Sequence, residues 1–216
     1  MVATTYNINV FVNCPLDDSY LHLMEALIFA IHDCGFIARS ALEAEDSSEV
    51  RIDKIAKIIK DCRYGIHDIS RTELGAETGL PRFNMPLELG FFLGARRFGS
   101  KADKTKACLI LDSDRFRYQR FCSDIAGQDI QSHDVNPETA VRVVRNWLRN
   151  NSYSSGVTIP GGSAMADRFG LFQEDLPLLC RELRLERNEL IFNDYTTLIA
   201  EWLKENNWWD SDEESV

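Results

Sequence analysis

The chain predicts an α/β fold in which a parallel sheet carries helices on both faces. Three observations predict it. Short β-branched and aromatic runs alternate with helical patterns over residues 6–150, an order that favours parallel strands joined by helices. The helical stretches each carry one apolar face, as a layer packed on a sheet requires. The length of 216 residues, 44% of them hydrophobic, is enough for one sizeable core.

"YNINVFVN" (6–13) reads as the first strand. "SYLHLMEALIFAIHDCG" (19–35) follows as a helix. Leu21, Met24, Ile28 and Ile31 recur at helical spacing, and Gly35 stops it. "FIARSAL" (36–42) is the second strand and "VRIDKIAKIIKDC" (50–62) the second helix, with Ile52, Ile55 and Ile59 on one face. "RYGIHDIS" (63–70) gives the third strand, followed by the long glycine-containing loop "RTELGAETGLPRFN". The stretch "RFNMPLELGFFLGA" (82–95) is a helix that Pro86 suits at its first turn. "KACLILDSD" (106–114) is the fourth strand and "GQDIQSHDV" (127–135) a short fifth. "PETAVRVVRNWLRN" (137–150) is a helix with Val141, Val144 and Leu148 on one side. Right-handed crossovers then favour the flavodoxin-like order 2-1-3-4-5. "NSYSSGVTIPGGSAMAD" (151–167) reads as a linker. The patterns "LFQEDLPLLCRELRLE" and "DYTTLIAEWLKENNWW", within 168–209, read as a C-terminal helical appendage, and 210–216 as an acidic tail.

The net charge of -10 and pI near 4.9 disfavour a long nucleic-acid partner, because phosphate attraction supplies most non-specific binding. The cysteines Cys14, Cys34, Cys62, Cys108, Cys122 and Cys180 form no CxxC pair. They read as free thiols of a reducing, cytoplasmic setting. No signal peptide is apparent, and no run approaches the roughly 18 apolar residues of a membrane helix. The scattered His22, His32, His67 and His133 spell out no metal site. GxGxxG, GxxxxGK[ST] and GxSxG are all absent, which removes support for dinucleotide-fold, P-loop and serine-hydrolase chemistry.

In such sheets ligands sit beyond the carboxyl ends of the strands. That edge collects Asn13, Cys14 and Pro15 after the first strand, Asp68 at the end of the third and Asp112 after the fourth. Glu88 lies in an otherwise apolar run. One reading is a first-turn helix carboxylate held by free N–H groups and the helix dipole. The other is a catalytic carboxylate carried by a rigid element into a cleft. Asp68 likewise reads as a turn-forming aspartate or as a group that handles a proton or a ribose hydroxyl. His67 and Cys14 read as structural. Arg82, Asn84 and Met85 flank Glu88. "DRFRYQRF" (114–121) adds Arg117 and Tyr118, which read either as surface residues or as a phosphate contact and a base platform.

Together "VFVNCP", the strand ending in Asp68, and "NMPLELGFFLGA" followed by "KACLILD" resemble the nucleoside 2-deoxyribosyltransferase-like group, close to the TIR-domain enzymes. The resemblance spans about residues 6–150. Its most specific part is the ExGxxxGA pattern of Glu88, Gly90, Gly94 and Ala95, with Asp68 as the second match. It implies chemistry at the anomeric carbon of a ribosyl unit, with NAD or another nucleotide as substrate and no cofactor. Glu88 would be the catalytic carboxylate and Asp68 its partner. Asn13, Cys14, Pro15, Arg82, Asn84, Met85, Arg117 and Tyr118 would form the substrate-binding surround. The transferases place a phenol near the carboxylate. Phe11 stands in the matching run here, so the resemblance points to base release by an N-glycosidase, of the kind found in bacterial antiviral defence. A non-catalytic nucleotide sensor is the alternative it implies. Homo-oligomerisation, through the apolar helix 87–95 or the Trp208–Trp209 pair, and a protein partner on the C-terminal helices complete the expectations.

Overall fold

The computed structural model describes residues 5–72, 74, 79–80, 82–152 and 159–207. Strands β1 (Asn9–Asn13), β2 (Ile37–Arg39), β3 (Tyr64–Asp68), β4 (Ala107–Asp112) and β5 (Gln131–Ser132) form one parallel sheet in the order β2-β1-β3-β4-β5. This is the flavodoxin-like order read from the sequence. The register sets Val12 beside Ile66, Ile66 beside Leu109, and Leu111 beside Gln131.

Helices α1 (Leu21–Asp33), α2 (Arg51–Lys60), α3 (Asn84–Phe98) and α4 (Pro137–Asn151) cover the two faces. Strand alternation assigns them. Val10, Val12, Tyr64 and Ile66 point into the cluster shared with α1 and α4. Phe11 points the other way, against Ile55, Ile58 and Ile59 of α2 and Phe92 of α3. Two more helices, α5 (Gly162–Glu182) and α6 (Phe192–Glu205), lie on the α1 side. Phe169, Phe172, Leu198 and Trp202 join the same cluster as Phe29 of α1. Asp33 of α1 is buried and takes two hydrogen bonds from Arg168 of α5, at 2.8 and 3.1 Å.

Several boundaries differ from the sequence reading, each for a local reason. β2 stops at Arg39, because Ser40 opens a turn whose carbonyl accepts from the Glu43 N–H at 3.1 Å. β5 is two residues long. Gly127 at φ 106° precedes it, and Asp134 and Val135, both at φ 53°, follow it, so the backbone is extended only between them. The expected linker 151–167 is too long. Its last six residues, 162–167, are helical, since Met165 and Ala166 bury against α1 and continue into the apolar face of α5. Residues 153–158, Trp208, Trp209 and the acidic tail lie outside the described residues. No helix among those described is long and apolar enough to cross a membrane.

Candidate active site

Glu88 sits in the second turn of α3, not the first. The helix starts two residues before Pro86, and the Leu87 N–H already bonds the Phe83 carbonyl at 3.0 Å. Pro86 fits because the N–H it lacks would have had no partner anywhere in a first turn. Glu88 therefore stands past the free N–H groups that a capping carboxylate uses. Only 7% of the residue is exposed, and among the described residues no group donates a hydrogen bond to its carboxylate. Burial pushes its pKa above the ordinary value, against a smaller opposing pull from the Arg51 charge at the start of α2. Its own charge reaches the Cys14 thiol beyond β1. Glu88 is thus a partly desolvated carboxylate at the carboxyl edge of the sheet.

Asp68 is placed differently. It ends β3 on the α1 and α4 side and is fully buried. Oδ1 accepts the Ser70 N–H at 2.8 Å, closing an Asx turn. Oδ2 accepts the Tyr20 hydroxyl. His133 Nε2 stands 2.9 Å from the same oxygen, though outside aligned hydrogen-bond geometry. The Val135 N–H donates to His133 Nδ1 at 3.0 Å, so a neutral ring keeps its proton on Nε2, facing Asp68. Burial first, then the Asp68 charge, holds Tyr20 well above the usual phenol pKa and keeps it a donor. Asp68, Tyr20 and His133 form one buried network. No local pattern marks the last two, although His133 directly follows β5 and so stands at the carboxyl edge of the sheet.

The β1 turn clips α3 to the sheet. Asn13 Nδ2 donates to the Met85 carbonyl at 2.9 Å and lies 3.1 Å from His67 Nδ1. His67 is fully buried, edge-on to Phe11 and Phe92, and burial alone lowers its pKa to about 3, so it is neutral. Cys14 is buried. Burial first, then the charges of Asp68, Glu88 and Asp17, pushes its thiol well up, which removes the thiolate a nucleophile needs. Pro15 lines a small cleft of about 150 Å³ with Leu21, Met24 and Leu42, beside α1.

The flanking residues divide. Arg82 and Asn84 are exposed at the start of α3, and Arg82 lies 3.9 Å from Asp17. Arg117 turns inward. It donates to Asp112 Oδ1 at 2.7 Å, to Thr72 Oγ1 at 3.1 Å, and to the carbonyls of Ile69 and Ser70. It therefore ties the ends of β3 and β4 together, and its guanidinium is not open to a phosphate. Tyr118 is 5% exposed and packs with Ile69, Leu89 and Ile110. Its ring offers no free face to a base. A cleft of about 720 Å³ runs along β4 between Arg96 and Trp147 and contains none of the predicted site residues. Among the described residues, no group of three or more His, Cys, Asp or Glu side chains is placed to hold a metal ion. No family model, curated protein or solved structure matches the chain.

Proposed function

We propose that the chain cleaves the N-glycosidic bond of NAD or a related nucleotide, with Glu88 as the carboxylate that faces the anomeric carbon. The observation that carries this is the state of Glu88: nearly buried, without a hydrogen-bond donor among the described residues, and mounted on a helix anchored through Asn13 and Met85. A carboxylate partly stripped of water is costly to the fold, and its charge is the kind that stabilises a developing oxocarbenium ion. As the C1′–N bond breaks, its electron pair leaves with the base and water supplies the hydroxyl to C1′; the remaining proton goes to solvent when neutral nicotinamide leaves NAD, and to the base when a purine or pyrimidine leaves a nucleotide. The free thiols suit a reducing cytoplasm as the setting.

A second reading has its own support. Asp68 is fully buried and already engaged by Tyr20, His133 and Ser70, which leaves it no open side toward a leaving base. A sheet edge that offers the Glu88 carboxylate while Asp68 is held within the core suits a nucleotide sensor. Incubation with NAD, nucleosides and nucleotides, followed by mass spectrometry for free base, separates the two. Release that Glu88→Gln abolishes is the expected result. Release unaffected by that change overturns the role of Glu88, and thermal stabilisation by a nucleotide without release selects the sensor.

A further inference from the structure

Among the described residues, nothing covers the outward side of α3. Phe83, Leu87, Gly90, Phe91, Gly94 and Phe98 fall within an arc of about 100° at helical spacing. None is charged, and Asn84 and Arg97 border the arc. Phe83 is 66% exposed, Leu87 54%, Phe91 40% and Phe98 82%. Singly exposed apolar residues are ordinary, but an aligned stripe of four large ones is not.

The two glycines are a second observation. A Cβ built at Gly90 or Gly94 meets nothing within 4 Å, and neither residue has a positive φ. The chain's own packing therefore does not require glycine at either position. Each still costs the helix about 1 kcal/mol relative to alanine. Glycine on an exposed helix face is useful where another backbone comes close.

We propose that α3 pairs with the α3 of a second copy of this chain, across a two-fold axis near Gly90 and Gly94. The face is self-complementary. Leu87 and Phe91 project beside the notch that the glycines leave, so a two-fold axis seats each copy's projections in the other's notch. The four large side chains present about 500 Å² of apolar surface, in the range of the largest patch on a monomer. The bared helix backbone and the bordering Asn84 and Arg97 extend this toward the ~800 Å² per partner of a stable interface. A second copy of the chain supplies both the projections and the notches that this face calls for. Glu88 lies about 100° around the helix from the centre of the arc, so the pairing is independent of the glycosidase reading.

Sedimentation equilibrium on the full chain, from nanomolar to high micromolar concentration, tests this. A monomer–dimer equilibrium is expected. Gly94→Leu and Phe91→Ser are each expected to weaken it by about tenfold or more while keeping the native circular dichroism spectrum. Phe91→Ser decides the case if Gly94→Leu loses that spectrum. A wild-type chain that stays monomeric throughout overturns the proposal, and so does a dimer that folded Phe91→Ser leaves at full strength. Base release is read separately, so failure here leaves the Glu88 assignment standing.

Discussion

Glu88 carries a burial cost that a pH titration exposes. Its folded pKa is raised, with burial as the largest cause, above the ordinary value of 4.5. The folded chain therefore holds this proton more tightly than the unfolded chain. The associated stability is fully present below the unfolded pKa and is lost as pH rises through the folded one. Glu88→Gln removes the titration. Its Tm is expected to match wild type near the low end of that window and to exceed it increasingly toward neutral pH, as calorimetry across pH measures. A Tm difference that does not grow with pH would show that Glu88 is paired or solvated in solution. Asp68 shows the opposite solution to the same problem, since Tyr20, the Ser70 N–H and His133 surround its charge. The two carboxylates look alike in the sequence. Their surroundings separate them into an aspartate held by three neighbours and a glutamate that receives no hydrogen bond from the described residues.

At the scale of elements, the contact of β3 with α3 depends on Gly65. A Cβ there would stand 2.6 Å from Phe92 Cε2 and 2.8 Å from His67 Nε2, and Phe92 is fully buried with no room to move. Gly65→Ala is expected to cost about 1–3 kcal/mol in chemical denaturation, as overpacking does. Phe92→Leu in the same chain is expected to recover part of the loss, because the two sites are in contact. Purely additive losses would mean that Phe92 is not what confines Gly65. Lys106 joins elements in another way. Its buried ammonium donates to the Ile59 carbonyl at 2.7 Å and to the Cys62 carbonyl, closing the end of α2 where the helix dipole favours a cation. Element type was legible throughout, since periods of two and of 3.6 residues survive in the apolar residues. Boundaries were less so. Pro86 marked a first turn without fixing which of its positions it fills, and the Gly-Gly-Ser of 161–163 resembled a linker although it opens α5.

At the scale of the whole molecule, the C-terminal helices share the core of the sheet. Phe172 of α5 is fully buried, stacked on Phe29 of α1 at 5.2 Å and edge-on to Trp202 of α6 at 5.7 Å. Two buried carboxylates of α1 reinforce the joint: Asp33 to Arg168, and Glu25 to Arg187 at 2.6 Å. Phe172→Ala is expected to cost about 3–5 kcal/mol and to lower one cooperative transition seen alike by fluorescence and circular dichroism. A transition split between the two probes would mean that α5 and α6 melt apart from the sheet. The sequence by itself determined the strand–helix alternation and the strand order, because these follow from local periodicity and the handedness of crossovers. Only the tertiary structure decided which edge residues remain free. Asp68 meets Tyr20 and His133, Arg117 meets Asp112 and the end of β3, and Tyr118 enters the core, all through contacts between separate elements. Side-chain satisfaction is a property of packed neighbours, so no local pattern could report that Glu88, unlike Asp68, receives no hydrogen bond from the described residues.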